Sequence, residues 1–212
     1  MWNGAQKLSH YLQANTSTLI HDKTVLELGA GAGLPSLVAA IHGATQVVVT
    51  DYPDADLVEN LQQNIDSCSL LSKHNKRKNI AAEGFLWGAD VTSLLRHLPT
   101  SAKGFDTLIL ADLLFNHHCH EALVSTVLHT LAHAEGACAL VFFTPYRPWL
   151  LQKDMAFFTL CKEQGLVVHK VVEEVLETAM FEEDEGDELL RRTVFGYEVR
   201  WATALIRNTG NP

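Results

Sequence analysis

The sequence predicts an α/β fold, a mostly parallel sheet flanked by helices and finished by an antiparallel C-terminal hairpin. Three observations lead there. Thr24–Tyr52 reads as strand, tight turn, helix and second strand; apolar runs then alternate between strand-like and helical spacing; and the last third holds two strand-like runs with no helix between them. With 212 residues, 47% of them hydrophobic, the chain can bury a sizeable core, and a single domain over 1–212 is expected.

The chain opens with Trp2, Asn3 and Gly4 ahead of a helical pattern through Leu8, Tyr11 and Leu12. Trp2 reads either as a helix-end anchor on the sheet edge or as a ring folded over a ligand. Next, Val25, Leu26 and Leu28 lead into Gly29, Gly31 and Gly33, after which Leu34, Leu37, Val38 and Ile41 recur at helical spacing. Val47–Val49 forms the second strand and ends in Thr50 and Asp51. Glycine at 29 and 31 lets the backbone take positive φ and lie against a ligand, while the helix amides that follow face it as donors. Asp51, twenty residues beyond Gly31, places a carboxylate where a ribose diol would sit. A nucleoside-containing ligand is therefore expected.

The turn also bears on which nucleoside. A dinucleotide fingerprint needs glycine at its sixth position, where this chain has Leu34. Glu27, two residues before Gly29, repels a pyrophosphate and suits a cation. S-adenosylmethionine carries a sulfonium and an ammonium group and no phosphate; it is the expected cofactor, with Glu27 among its contacts.

Pro53 fits the first turn of a helix running to about Cys68, with Leu57, Val58, Leu61 and Ile65 on one face. Ser72–Lys78 is basic and polar and reads as a solvated loop. Phe85–Trp87 is expected to be a short strand, followed by a turn at Gly88–Asp90 and a short helix with Leu94 and Leu95. Trp87 is placed to stack on adenine, and Asp90 either accepts from the adenine amine or caps the helix.

Phe105–Leu110 is the next buried strand and runs into Ala111 and Asp112. A carboxylate at the carboxyl end of a central parallel strand lies in the crevice where α/β folds bind ligands, so Asp112–His117 is the expected reaction edge. His117, His118 and His120 match no familiar zinc spacing, and no metal is expected. A helix through Leu123, Val127, Leu128 and Leu131 precedes a strand at Ala137–Thr144, with Tyr146 and Arg147 after it on the ligand side. Arg147 reads either as a grip on a substrate carbonyl or carboxylate or as a solvated side chain. Trp149 to about Gln164 forms a helix with Gly165 as its C-cap. Leu166–Val175 and Val194–Ile206 then make the hairpin. Between them Met180–Leu189, dense in carboxylates, is either a solvated loop or an acidic lip for a lysine-rich segment.

Six segments carry a family likeness: WNGA at Trp2–Ala5, ELGAGAG at Glu27–Gly33, TDYP at Thr50–Pro53, LWGAD at Leu86–Asp90, ADLLFNHHCH at Ala111–His120 and RRTVFGY at Arg191–Tyr197. Together they resemble the lysine-methyltransferase group of seven-stranded enzymes. Within it they are most similar to the fungal branch that acts on the amino terminus and adjacent lysine of elongation factor 1-alpha. The resemblance implies a Rossmann-like seven-stranded methyltransferase fold and S-adenosyl-L-methionine contacts at Trp2, Gly29, Ala30, Gly31, Asp51, Trp87 and Ala111. It implies a catalytic role for Asp112, the first residue of a substrate motif whose fourth residue, tyrosine in the wider group, is Phe115 here. Asn116 or His117 is expected to supply the polar contacts instead. The implied substrate is the N-terminal glycine and neighbouring lysine of elongation factor 1-alpha. Relatives usually carry several dozen residues before the tryptophan, so a truncated gene model or a short isoform is expected.

A net charge of −9 and an isoelectric point near 5.6 argue against a nucleic-acid partner. No apolar run reaches the length of a bilayer, no signal-peptide pattern is present, and a cytoplasmic protein with no membrane partner is expected. Cys68, Cys119, Cys138 and Cys161 make no CxxC spacing and read as reduced thiols. A monomer is expected. Two other readings compete: N-methylation of a small pyridine such as nicotinamide, which would want a closed aromatic pocket, and a non-catalytic cofactor-binding interaction module.

Overall fold

The computed structural model describes residues 2–73, 77–181 and 183–207. Helix α1 (Asn3–Ala14) buries Leu8 and Leu12, and a single turn, α2 (Thr16–Leu19), leads to β1 (Thr24–Leu28). Then come α3 (Leu34–Ile41), β2 (Gln46–Asp51), α4 (Ala55–Ser67), α5 (Ser69–Lys73) and β3 (Ile80–Gly84). The second half runs α6 (Thr92–Leu95), β4 (Thr107–Ala111), α7 (His120–Thr130), β5 (Cys138–Phe143) and α8 (Leu151–Glu163). It closes with β6 (Leu166–Val175), α9 (Glu188–Arg191), β7 (Thr193–Trp201) and α10 (Thr203–Arg207).

The described strands form one seven-stranded sheet in the order β3-β2-β1-β4-β5-β7-β6. The first five are parallel; β7 pairs antiparallel with both β5 and β6. Side chains alternate across it as the pleat requires. Val25, Val49, Ile109 and Phe142 pack beneath α1, α3 and α4, whereas Leu26, Leu28, Leu110 and Val141 pack against α7 and α8. The strand order reverses between β1 and β4, so a crevice opens beyond their carboxyl ends.

Several boundaries differ from expectation. The third strand is Ile80–Gly84, and the aromatic run Phe85–Trp87 is the loop after it. That strand lies at the sheet edge and takes small residues because α4 and the proline before it press close: a Cβ on Gly84 would sit 2.9 Å from Pro53 Cα and 3.3 Å from Val58 Cγ2. Its pattern is too weak to compete with three bulky neighbours. Pro53 precedes the helix instead of entering it, since Asp54 is the N-cap and accepts from Asp56 N at 3.0 Å. The last strand ends at Trp201, and 203–207 turn into α10. Of the basic stretch, Ser72 and Lys73 end α5 and Arg77–Asn79 form a 3-10 turn, while 74–76 lie outside the described residues. The hairpin matches expectation; the C-cap of α8 is Gln164, and Gly165 (φ +84°) is the left-handed residue just after it.

The tightest point of the antiparallel half is Gly196 on β7, where a Cβ would meet Phe142 Cζ at 2.6 Å and Val172 Cβ at 2.9 Å. Phe142 is fully buried, so its ring has nowhere to retreat. Gly196→Ala should destabilise the protein by about 1–3 kcal/mol, read as a melting point lowered by roughly 2–4 °C per kcal/mol.

Candidate active site

The glycine turn after β1 is fixed from outside as well as by its own conformation. Ala30 N donates to Thr50 O at 2.9 Å, and Asn64 Nδ2, from α4, donates to Ala32 O at 3.1 Å. Gly31 has φ +57°, and nothing lies within 4 Å of the place a Cβ would take, so its backbone faces open space. Its N–H donates to Asp51 Oδ2 at 2.6 Å, which ties the tips of β1 and β2 together. At Gly29 a Cβ would strike Leu113 Cδ2 at 2.7 Å and Trp87 at 3.0 Å. Trp87 thus packs directly over the turn.

A cavity of about 410 Å³ opens here, within the ordinary range for small-molecule sites. Gly29, Ala30, Gly31, Asp51, Trp87 and Ala111 all line it, as do Trp2, Asp112 and Asn116. Cys119, Phe85, Leu86 and Tyr52 line it too; the strand expected at Phe85–Trp87 hides two of them, and no local signal marks Cys119 or Tyr52. Asp90 stays away from the cavity and accepts from Thr92 N at 2.8 Å and Thr92 Oγ1 at 2.6 Å, the capping alternative. Among the described lining residues there is no lysine, arginine or histidine.

Glu27 is a correction. It is buried beneath the turn, does not line the cavity, and its Oε2 accepts from Ser36 N in the first turn of α3 at 2.9 Å. Burial pushes its carboxyl up to about 8, against the hydrogen bonding of Ser36. Buried and mostly uncharged at neutral pH, it is not the cavity-facing anion the spacing suggested. The sequence could not show this, because β1 is buried on both faces.

Asp112 caps the end of β4 with φ +55°, a left-handed conformation that is strained for a residue other than glycine. Its amide donates to Phe142 O at 2.7 Å. Its carboxylate accepts from Thr144 N at 3.1 Å, Ala5 N at 3.3 Å and the amide of Gly4. Desolvation outweighs those bonds and raises its pKa to about 6.

A second cavity of about 320 Å³ adjoins the first and shares Trp2, Asp112 and Phe115 with it. Tyr146 and Phe181 line it beside Trp2, and Asn3 N donates to the Tyr146 hydroxyl at 3.1 Å. Burial, then the nearby Asp112 carboxylate, holds the Tyr146 phenol above its usual range. His117 is the other correction: it lines neither cavity, and its Nε2 donates to Asp154 Oδ1 at 2.6 Å. Asp154 does line the second cavity, and burial raises its pKa against the pull of His117. His120 instead donates to Leu114 O at 2.8 Å, and Arg147 Nη2 donates to Phe115 O at 3.0 Å.

Sheet order and crevice are those of a Rossmann-like methyltransferase fold, and solved structures agree. The YcgJ protein of Bacillus subtilis superposes with a TM-score of 0.61 at 14% identity over 91% of this chain and 97% of that one. TYW2 of Pyrococcus horikoshii, solved in complex with MeSAdo, does so with 0.54 at 16% identity over 94% and 62%. The family model described as lysine methyltransferase matches residues 1–164. The chain is 49% identical to the protein N-terminal and lysine N-methyltransferase efm7 of Neurospora crassa, over 96% of this chain and 73% of that protein. To the same-named protein of Schizosaccharomyces pombe it is 40% identical, over 94% and 76%. The chain belongs to the lysine methyltransferase family.

Two outcomes test the electrostatics. Because the Asp112 pKa is raised from 3.8 to about 6 on folding, its stabilising contribution is complete below about pH 4 and is lost as pH rises through 6. The stability of the wild type relative to Asp112→Asn should therefore fall by up to about 3 kcal/mol between pH 4 and 7, measured by thermal melting at each pH. Glu27→Gln keeps an acceptor for Ser36 N and removes no charge at neutral pH. Calorimetry should find affinity for a nucleoside ligand within about threefold of wild type, and a loss of a hundredfold would restore the anionic role.

Proposed function

We propose that this chain is an S-adenosylmethionine-dependent N-methyltransferase acting in the cytoplasm on the N-terminal glycine and adjacent lysine of elongation factor 1-alpha. The observation that carries this reading is the wall shared by the two cavities, where Trp2, Asp112 and Phe115 would bring a ligand of one against an amine in the other. The names of the relatives, protein N-terminal and lysine N-methyltransferases, support it.

The residues of the first cavity fit the cofactor. Phosphates there would meet Asp51 and Asp112 with no basic side chain among the described lining residues to offset them. A sulfonium and an ammonium group meet carboxylates instead. Gly31 leaves open space at the turn, Asp51 offers a carboxylate to a diol, and Trp87 and Phe85 offer apolar surface to a base. S-adenosylmethionine, when bound, supplies an electrophilic methyl group.

The chain's own task is to position a neutral nitrogen with its lone pair directed into the first cavity. At pH 7 an α-amine sheds its proton for about 1 kcal/mol and a lysine for about 4 to 5 kcal/mol, so the terminal glycine is the easier acceptor. Asp112 does not assist by charge alone, because an anion raises the pKa of a neighbouring amine. It draws the cation in and then accepts from an N–H of the neutral amine, which orients the lone pair. The proton leaves to water at the open lip, since Asp154 already engages the His117 imidazole. A pyridine has no proton to lose and no N–H to donate to Asp112, so the carboxylates of the second cavity would be unnecessary for it.

Labelled S-adenosylmethionine and purified protein, added to a lysate of cells lacking it, should label one protein band. Mass spectrometry should place the label at the terminus of elongation factor 1-alpha; label confined to small molecules would overturn the reading. Asp112→Asn should lower kcat/KM by roughly 10- to 100-fold while S-adenosylhomocysteine affinity stays within about threefold. Unchanged turnover would remove Asp112 from the mechanism.

A further inference from the structure

The second cavity is larger than one amino group requires, and its walls are of two kinds. Trp2, Tyr146 and Phe181 stand 5.0, 5.6 and 5.8 Å apart, centroid to centroid, with interplanar angles of 59°, 65° and 71°. Rings so tilted pack edge to face into one aromatic cluster, and the surface that this cluster turns to the cavity accommodates the methylenes of a long side chain. The other wall is anionic: beyond Asp112 it holds Asp154, buried and braced by His117, and Asp184 at the exposed lip. Arg147 is the one cation among the described lining residues; its guanidinium donates to Phe115 O and also acts on Asp154, so an incoming cation shares that carboxylate with it. Thr144 Oγ1, also in this wall and buried, lies near the Tyr146 phenol but makes no hydrogen bond of proper geometry among the described residues. A buried hydroxyl in that state is a spare acceptor.

We infer that this cavity is a subsite for a basic side chain, which it holds between the Trp2–Tyr146–Phe181 cluster and Asp154 while the reacting amine stands at Asp112. The inference rests on the function proposed above and adds a specificity element to it: the enzyme reads two cations, the acceptor and its neighbour. An acidic neighbour meets Asp154 and Asp184, and a small apolar one leaves the aromatic cluster uncovered. Asp154 and Phe181 are the specificity-determining residues.

Three synthetic peptides with a free N-terminal glycine and lysine, alanine or glutamate in second place separate the possibilities. Label on the α-amine is read by mass spectrometry. The wild type should prefer lysine over alanine by about tenfold in kcat/KM, with glutamate poorer still. In Asp154→Asn, and separately in Phe181→Ala on the exposed lip, the lysine preference should fall to within about threefold. S-adenosylhomocysteine calorimetry establishes that each variant is folded. Equal turnover of the three peptides by the wild type, or full preference in both variants, overturns the subsite while leaving the methyltransferase reading intact. Transfer to none of the peptides overturns that reading and this inference with it.

Discussion

The ligand edge of the molecule depends on one carboxylate. Asp112 ends β4 in a left-handed conformation, and its amide extends the β4–β5 ladder to Phe142 O. Its side chain then turns toward the first turn of α1, accepting from the amides of Gly4 and Ala5. A helix start carries unpaired N–H groups and a partial positive charge, so the carboxylate completes it. Only glycine fits at position 4, where a Cβ would stand 2.5 Å from Asp112 Oδ2. With α1 seated this way, Trp2 is brought against Tyr146 and Phe181, and its ring becomes the partition between two cavities.

Glu27 does for α3 what Asp112 does for α1. Helix α3 has Gly33 at its N-cap and α1 has Trp2, and neither makes a side-chain cap bond. Both positions are taken by residues the crevice requires: a glycine where the turn needs φ +73°, and an aromatic ring where the cavities meet. A local Ser or Asp cap is therefore not available, and a carboxylate on the neighbouring strand reaches across instead. The two acids differ in surroundings. Glu27 is sealed under the turn and carries its proton at neutral pH; Asp112 looks into both cavities and is ionised.

Much of this was legible in the sequence because the signals are local. The glycine turn, the carboxylate at the end of β2 and the one at the end of β4 each follow from a strand end and a few residues around it. What stayed hidden depends on distance or on direction. Glu27 lies between Leu26 and Leu28 on a strand buried on both faces, so nothing near it says which way it points. The His117–Asp154 pair joins residues 37 apart, and in sequence Asp154 is only an acid in the first turn of a helix. Phe181 sits in a run of carboxylates that reads as solvent-facing, and its partner Trp2 is at the other end of the chain. The third strand was misplaced for a related reason: small residues chosen for close packing against α4 carry less pattern than the bulky loop that follows.

The raised pKa of Asp112 links folding stability to pH. At neutral pH the free protein keeps an ionised carboxylate in a desolvated place, at a cost on the order of 3 kcal/mol relative to an ordinary aspartate. Any cation placed beside it would return the pKa toward the usual range and recover that cost. The same oxygens hold the amides of Gly4 and Ala5, and through α1 they hold Trp2. The carboxylate that seats the partition is therefore the one that faces both cavities, at a residue whose backbone is left-handed.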